Sequence, residues 1–293
     1  MNKQVGLVGV GIMGSQIARK LRVAGYALTA RDINPEAAAR AREIGCTVAA
    51  SPADVARSCE VILISVPLPE DVAQIVLRDG DGILAAARPG TVIVDLSTVD
   101  AFSTRHNAEK ATARGVGYLD CPVLGRPQGC GKWTLPTGGD ERHLEMVRPI
   151  LENLAARIVP VGPSGHGNVV KLLNNMMFGA INAITAEVFA LSAKLGMEPK
   201  VLFGTIADSG AATVSNLFRE LGPKILGDDF SPLFSIDNLH KDMRLGIEMA
   251  RKVGADFLVS EANQRLNTLA REAGFGAEDT AAAVKVCRRM LDR

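Results

Sequence analysis

The stretch VGLVGVGIMG, residues 5–14, decides how the first half of this chain folds. A short apolar strand runs directly into a G-x-G-x-x-G loop at Gly9, Gly11 and Gly14, and an amphipathic helix follows over residues 15–24. Gly9 permits the tight turn, Gly11 lets the backbone approach a pyrophosphate, and Gly14 lets the helix pack on the strand. Because the helix N-terminus offers free N–H groups and a positive dipole end to phosphates, this order predicts a dinucleotide-binding fold.

Length and composition narrow the class of protein. The 293 residues are enough for two domains, and a formal net charge of +1 argues against nucleic acid or an anionic membrane as the main partner. We expect no membrane span, because polar side chains interrupt each apolar run before the ~18–20 residues that a span needs. The first strand starts almost at once, so we expect no signal peptide. Five cysteines without a C-x-x-C pair indicate free thiols in a reducing cytoplasm, and no metal site is predicted.

Up to residue 161 the chain alternates short apolar runs with helical patterns. The predicted strands are Val5–Val10, Ala27–Arg31, Val61–Val66, Thr91–Leu96, Gly117–Cys121 and Arg157–Val161. The predicted helices between them include Pro35–Ile44, Pro52–Ser58, Phe102–Arg114 and Glu141–Leu154. This alternation is typical of right-handed βαβ crossovers and predicts an α/β fold with a mainly parallel, doubly wound sheet of Rossmann type. It leaves open whether the later strands add an antiparallel portion.

The character of the sequence changes after Gly162. A long, mostly apolar helix is predicted from His166 to Leu195, and only helical patterns follow it. We therefore predict a Rossmann domain over residues 1–163 and an all-helical domain for substrate binding and dimerisation over residues 164–293, joined by this long interdomain helix. Because one chain's second domain is not expected to cover so apolar a helix, the sequence also predicts a homodimer or homotetramer.

The residue after the second strand bears on the choice of cofactor. Asp32 lies near the spacing of about 20 residues at which an acidic side chain binds the adenosine ribose hydroxyls and repels a 2′-phosphate. The neighbouring Arg31 is the counter-argument, since a guanidinium could bind that phosphate, but alternation along the strand is expected to turn it to the other side. The sequence therefore favours NAD over NADP. A role of Asp32 as a helix cap would fit either cofactor.

A dinucleotide loop identifies no reaction, so a group that handles protons is needed as well. The segment GHGNVVKLLNN, residues 165–175, offers Lys171 within an apolar helix, with Asn175 one turn later and Asn174 beside it. Burial among apolar neighbours generally lowers the pKa of a lysine toward values useful in acid–base catalysis. From these residues alone the alternative stays open that Lys171 extends its ammonium to water and that the asparagines only cap or bridge.

Several separated motifs occur together in an order that resembles the β-hydroxyacid dehydrogenases, the group of 3-hydroxyisobutyrate dehydrogenase and tartronate semialdehyde reductase. The resemblance covers nearly the whole chain. The motifs are GLVGVGIMGSQIA at 6–18, DLST at 95–98, DCPV at 120–123, GHGNVVKLLNN at 165–175 and LHKDM at 239–243.

The resemblance implies a role for several side chains. Lys171 matches the family's catalytic lysine, and Asn175 matches the asparagine that orients the substrate. In oxidation the lysine takes the β-hydroxyl proton as hydride leaves the same carbon for the nicotinamide. Asp242 is expected as the structural partner of Lys241. The predicted cofactor residues are Gly9, Gly11, Ile12, Met13, Gly14, Asp32, Val66, Pro67, Thr98 and Lys241, and the predicted substrate residues are Ser97, Gly125, Arg126, Asn174 and Lys241.

The chain departs from the family pattern after DCPV. The family usually continues with Ser-Gly-Gly, which cradles the substrate carboxylate, whereas this chain reads LGRP at residues 124–127. A hydroxyl is lost and the guanidinium of Arg126 is gained, which resembles the branch of the 3-sulfolactaldehyde reductases. Arg126 could bind a sulfonate or a second carboxylate through two parallel hydrogen bonds. The alternative is an arginine that is simply exposed on a rearranged loop.

The leading hypothesis is therefore an NAD-dependent oxidoreductase acting on a small anionic β-hydroxyacid or its semialdehyde. An imine reductase has a similar scaffold, but those enzymes usually lack the lysine that Lys171 provides. A non-catalytic dinucleotide-sensing protein is the alternative from another class. Such relatives tend to lose the lysine and gain extra domains or basic tails, and neither change is seen in this sequence.

Overall fold

A computed structural model describes residues 4–209 and 215–291 of the chain. The chain divides into two compact units, the first ending at Lys171 and the second beginning at Leu172. This division falls inside the long helix that the sequence predicted. The domain boundary predicted between residues 163 and 164 lies just before that helix and remains a proposal.

The first unit contains a single sheet of mixed direction. Its strands are β1 (Gln4–Val8), β2 (Ala27–Arg31), β3 (Thr47–Val48), β4 (Val61–Ile64), β5 (Val92–Asp95), β6 (Gly117–Asp120), β7 (Trp133–Gly138) and β8 (Ala155–Gly162). They lie in the order β3-β2-β1-β4-β5-β6-β7-β8. The first six strands are parallel, β7 runs antiparallel to β6, and β8 is parallel to β7. The predicted doubly wound α/β fold is confirmed, and the antiparallel portion that the sequence left open lies at β7.

Helices cover both faces of the sheet. They are α1 (Ile12–Val23), α2 (Pro35–Glu43), α3 (Pro52–Ser58), α4 (Pro69–Leu77), α5 (Ala101–Thr112) and α6 (Glu141–Leu151). Side chains alternate along each strand, so that Val61 and Leu63 of β4 pack in one apolar cluster while Ile62 and Ile64 pack in another. Because these strands are buried on both faces, they are continuous apolar runs in the sequence, and the sheet was predicted from these runs.

Two strands were missed. β3 has only two residues, which is too short for a periodic signal. The sequence of β7, WTLPTG, contains Pro136 and ends in glycine, and it is not among the predicted strands. A proline is tolerated there because β7 meets β6 at the single pair Asp120–Gly138, so no long ladder needs the missing N–H on that side.

Within its described residues, the second unit contains helices and no named strand. Its helices are α7 (His166–Lys194), which begins in the first unit, α8 (Pro199–Asp208), α9 (Asn216–Leu226), α10 (Ile236–Lys252), α11 (Leu258–Glu272) and α12 (Ala283–Leu291). Phe189, Phe203 and Phe218 form the aromatic centre of its core, with ring centroids 5.7–6.4 Å apart. Each of these rings buries a large apolar surface, which is what holds short helices together.

Helix α7 departs from the expectation that no segment is long and apolar enough to span a membrane. By length and composition it could cross a membrane, with a mean hydropathy of 1.5 over its best 18 residues. This is weak evidence for a membrane span, because the core helix of a soluble protein meets the same criteria.

Candidate active site

The glycine loop joins β1 to α1, and at two of its glycines there is no space for a Cβ atom. Gly9 has φ = +94°, and a Cβ at this position would lie 2.2 Å from the carbonyl oxygen of Ser65. A Cβ on Gly14 would lie 2.0 Å from the carbonyl oxygen of Gly9, so helix and loop touch backbone to backbone. A Cβ on Gly11, by contrast, would meet nothing within 4 Å. Gly11 therefore caps α1 on an open side, where a phosphate can approach the first N–H groups of the helix.

The loop borders a cavity of about 440 Å³ in the first unit. Five of the predicted cofactor residues line it, and they come from three parts of the chain: Gly9, Gly11, Asp32, Val66 and Pro67. The lining is more apolar than polar, as expected of a site that holds an adenosine or nicotinamide ring. Of the other predicted cofactor residues, Ile12, Met13, Gly14, Thr98 and Lys241 do not line this cavity.

Asp32 braces the loop with both carboxylate oxygens. The N–H of Val10 donates to Oδ2 at 2.6 Å, and the N–H of Asn34 donates to Oδ1 at 2.8 Å. A carboxylate oxygen has two lone pairs, so this arrangement leaves capacity for the hydroxyl groups of a ribose.

The guanidinium of Arg31 is closer to Asp32 than alternation along the strand suggests. Arg31 lines the same cavity as Asp32, and its guanidinium donates to the carbonyl oxygen of Asp32. The reason is that β2 ends at Arg31, so that Asp32 lies beyond the strand and strict alternation no longer relates the two side chains. An anion and a cation therefore stand together at this end of the cavity.

A buried network holds the turn that follows β4. Ser97 is buried, and its hydroxyl accepts the N–H of Val66 at 3.0 Å, while its own N–H donates to Asp95 at 2.9 Å. The hydroxyl of Tyr118 donates to the second oxygen of Asp95 at 2.9 Å. Burial raises the pKa of Asp95 to about 6 despite these hydrogen bonds, because a charged carboxylate loses its hydration there. Ser97, which was predicted to bind substrate, thus supports the cavity wall at Val66.

A second buried carboxylate fixes the start of α7. Asp120, at the end of β6, accepts the N–H groups of Gly165 at 2.8 Å and Asn168 at 2.9 Å. The Asn168 side chain accepts the N–H of Val99 at 3.1 Å and donates to Thr104 at 3.2 Å. Burial raises the pKa of Asp120 to about 6. These positioning roles were not predicted from the sequence, although Asp120 lies in the DCPV motif and Asn168 in GHGNVVKLLNN.

These contacts matter for Lys171, which lies three residues after Asn168 in the same unit. The first turn of α7 is tied to β6 and to the segment after β5, so the backbone that carries the lysine has a fixed position on the sheet. Because β5 and β6 are parallel, their carboxyl ends lie at the same edge of the sheet. Ligands bind at this edge in folds of this class.

The loop after β6 is folded around a tryptophan. Leu124 and Thr134 exchange two backbone hydrogen bonds, at 3.0 and 3.2 Å. The indole N–H of Trp133 donates to the carbonyl oxygen of Arg126 at 2.7 Å. Gly125 and Arg126, predicted to bind substrate, therefore lie on a loop with a defined backbone.

In the second unit, polar side chains of α7 and α10 form a chain of contacts. Asn174 donates to Asn175 at 3.1 Å, and Asn175 donates to Asp242 at 2.6 Å. The ammonium of Lys241 lies 2.8 Å from the other oxygen of Asp242, which is almost completely buried. Asp242 is thus the ion-pair partner expected for Lys241, and it also orients the amide of Asn175. Within residues 4–209 and 215–291, no group of three potential metal ligands occurs.

Comparison with known proteins matches both halves of the chain to one family. The NAD-binding domain of 6-phosphogluconate dehydrogenase matches residues 4–162, and the domain described as NAD-binding of NADP-dependent 3-hydroxyisobutyrate dehydrogenase matches residues 165–287. The chain belongs to the β-hydroxyacid dehydrogenase family. Like its relatives, this β-hydroxyacid dehydrogenase is an NAD(P)-dependent oxidoreductase that acts on small hydroxyacids.

Full-length relatives have different substrates. The 2-(hydroxymethyl)glutarate dehydrogenase of Eubacterium barkeri is 29% identical, covering 98% of this chain and 95% of that protein. The 3-sulfolactaldehyde reductase of Escherichia coli (strain K12) is 31% identical, covering 97% and 95%. A solved structure of Mycobacterium tuberculosis 3-hydroxyisobutyrate dehydrogenase with L-serine has a TM-score of 0.89 and 28% identity, covering 98% of this chain and all of that one. The family thus fixes the type of reaction and leaves the substrate open.

Proposed function

We propose that this dehydrogenase interconverts a small β-hydroxyacid and its semialdehyde, with NAD as the cofactor and Lys171 as the general acid and base. The observation that carries the proposal is the anchored first turn of α7, which fixes the backbone under Lys171 through Asp120 and Asn168. Catalytic groups need such support, because misplacement by about 1 Å can lower a rate a hundredfold.

The proton chemistry follows from the residues. In oxidation Lys171 accepts the proton of the β-hydroxyl, and in reduction it returns a proton to the carbonyl oxygen. Asn175, whose amide is held by Asp242, orients the substrate oxygen, with Asn174 and Lys241 next to it. A bound nicotinamide supplies the hydride chemistry at the same carbon.

The cavity at the glycine loop fits that cofactor. Gly11 leaves open space at the N-terminus of α1 for the pyrophosphate, and Asp32 has free lone pairs for ribose hydroxyls. The carboxylate of Asp32 disfavours a 2′-phosphate, and this is the basis for proposing NAD rather than NADP. We assign Ile12, Met13, Gly14 and Thr98 to the same cofactor site.

Arg126 is proposed to bind the anionic tail of the substrate, and Ser97 and Gly125 are proposed as further substrate residues. A guanidinium binds a carboxylate or sulfonate through two hydrogen bonds, whereas an ordinary hydroxyl offers one donor. A reductase for 3-sulfolactaldehyde is the second candidate, favoured by Arg126 and by the similarity to the Escherichia coli enzyme of that name.

We also propose that the enzyme is a cytoplasmic homodimer or homotetramer. Leu173, Met177, Ile184 and Leu191 are exposed on α7 within the second unit, at spacings of four and seven residues. This spacing is that of a seam which packs against another helix. Sedimentation velocity of the purified chain tests the proposal, and a monomer at micromolar concentration would contradict it.

A substrate panel tests the function. The panel contains 3-hydroxyisobutyrate, serine, glycerate, 4-hydroxybutyrate and 2,3-dihydroxypropanesulfonate, each with NAD and with NADP. We expect turnover of at least one compound, with a higher kcat/KM for NAD. The highest kcat/KM for 2,3-dihydroxypropanesulfonate would establish the second candidate. Failure of all five compounds, with NADH binding intact, would contradict both.

A further inference from the structure

The sole tryptophan of the chain lies beneath the proposed substrate arginine. Trp133 begins β7 and is only 1% exposed, although it is the largest side chain in the protein. Its indole N–H has one acceptor, the carbonyl oxygen of Arg126, at 2.7 Å. A buried indole N–H needs such a partner, because it has lost water.

The loop that carries Arg126 is shaped to the indole on both sides of the arginine. A Cβ on Gly125 would lie 2.4 Å from Cδ1 of the indole, and a Cβ on Gly129 would lie 3.6 Å from it. Gly125 therefore has no room for a side chain, and a Cβ at Gly129 would come into van der Waals contact with the indole. The indole occupies the space that the loop encloses.

Two further constraints act on the Arg126 backbone. Leu124 and Thr134 exchange a pair of backbone hydrogen bonds, which closes the loop at its base. Pro127 follows Arg126, and a residue before proline is restricted to extended conformations, as its φ of −90° and ψ of 158° show. The hydrogen bond from the indole N–H to the Arg126 carbonyl then holds the peptide plane between Arg126 and Pro127, which adjoins the Cα that carries the arginine side chain.

We propose that Trp133 is a positioning residue for Arg126, and that its indole N–H sets the orientation in which the guanidinium meets the anionic group of the substrate. The proposal rests on the assignment of Arg126 to the substrate tail made under the proposed function. Trp133 itself touches neither substrate nor cofactor, so its removal affects recognition of the anion and leaves the chemical step intact.

The decisive variant is Trp133→Phe, which keeps an aromatic ring and deletes the N–H. With the panel substrate of highest kcat/KM, we expect its KM to rise by about three- to tenfold, while kcat and the KM for the cofactor stay within twofold. Arg126→Ala should raise the same KM more. The double variant should match Arg126→Ala within twofold, because Trp133 acts only through the arginine.

Tyr26→Phe is the matched control, since it removes another aromatic donor to a backbone carbonyl, that of Pro149, in the same unit. Its KM values should not change. If Arg126→Ala leaves the substrate KM unchanged, the assignment of Arg126 fails and this proposal fails with it. If Arg126→Ala raises KM while Trp133→Phe does not, only the role of Trp133 is overturned.

Tryptophan fluorescence of the wild-type enzyme tests the proposal without a substitution at position 133. Because Trp133 is the sole tryptophan, tryptophan fluorescence reports on its surroundings, which include the Arg126 loop. Titration with 2,3-dihydroxypropanesulfonate, without cofactor, should change the emission of the wild-type enzyme and not that of Arg126→Ala. Calorimetric binding of this compound to the wild type without any change in emission would overturn the proposal.

Discussion

Two buried carboxylates, one in each unit, use their oxygens differently. Asp120 accepts backbone N–H groups, those of Gly165 and Asn168, and so fixes the course of the main chain. Asp242 contacts side chains, the amide of Asn175 and the ammonium of Lys241, and so fixes rotamers. In this pair, the carboxylate with backbone partners fixes the start of a helix, whereas the carboxylate with side-chain partners orients groups proposed for the substrate site.

This difference between Asp120 and Asp242 predicts whether a substitution lowers the free energy of unfolding or the rate of turnover. Loss of Asp120 should appear mainly in the free energy of unfolding, and loss of Asp242 mainly in turnover. In the sequence, Lys171 lies between Asn168, which Asp120 holds, and Asn175, which Asp242 holds. Removal of the lysine side chain should lower turnover more than substitution of either aspartate.

Lys171→Met should have the largest effect. Without a group to accept or return the proton, kcat is expected to fall by about a thousandfold, or about 4 kcal/mol, while NADH binding stays within twofold. Steady-state kinetics and calorimetric NADH titration measure the two quantities. Lys194→Met, on the exposed end of the same helix, is the control and should keep full activity. Loss of both turnover and NADH binding in Lys171→Met would mean that the lysine is structural.

Asp120→Ala should lower the free energy of unfolding by about 3 kcal/mol, because it leaves two buried N–H groups at the start of α7 without an acceptor. Urea titration measures the loss. Asp100→Ala is the matched control, since Asp100 also accepts two N–H groups at a helix start but is less buried. Its loss should be about 1 kcal/mol. Equal losses in both variants would remove the distinction between the buried carboxylate and an ordinary cap.

Because the pKa of Asp95 is raised, its contribution to the free energy of unfolding falls as the pH rises. A carboxylate whose pKa is lowered by folding has the opposite effect. Its pKa of about 6 in the folded state lies above the value of 3.8 that a free aspartate has, so the folded state holds the proton more tightly. This contribution to stability is complete below the unfolded pKa and is lost as the pH rises through 6. Between pH 4 and pH 6 the loss amounts to about 2 kcal/mol.

Asp95→Asn should remove this contribution, because the amide stays neutral and can still accept the N–H of Ser97. Urea titrations of both proteins across pH 4–6 give the comparison. The stability of the wild type relative to the variant should fall as the pH rises. Parallel pH profiles would show that Asp95 titrates at an ordinary pKa.

Asp242→Asn should lower kcat/KM by about tenfold, since Lys241 loses its ion-pair partner and the orientation of Asn175 is relaxed. The free energy of unfolding should change by less than about 1 kcal/mol, because asparagine keeps an acceptor for the Asn175 amide. Asp237→Asn, on the exposed side of the same helix, is the control. A large loss of stability with normal kinetics would place Asp242 beside Asp120 as a residue of the fold.

The sequence predicted what local patterns determine. Local patterns indicated the glycine loop, the alternating strands and helix α7. Each of these features depends on residues that are close together in the chain, so a single sequence is enough to predict it. The contacts of Asp120 and Asn168 join residues 45 and 69 positions apart, and no periodicity encodes such pairs. Strand β7 was missed because Pro136 is unfavourable in an interior strand, and only the sparse pairing with β6 makes it acceptable.

Arg31→Ala should have the smallest effect, and it tests whether the guanidinium at this end of the cavity contributes to the choice of cofactor. Arg31 and Asp32 line the same cavity, so the cation offsets part of the repulsion that the carboxylate exerts on a 2′-phosphate. Its removal should lower kcat/KM with NADPH by about threefold and leave the value with NADH within twofold. Arg78→Ala, which removes a cation that lines the same cavity and lies 3.8 Å from Asp81, controls for a general change of charge. An equal fall with both cofactors would instead assign Arg31 to bracing the loop at Asp32, because a brace supports either dinucleotide whereas a phosphate-binding cation supports only one.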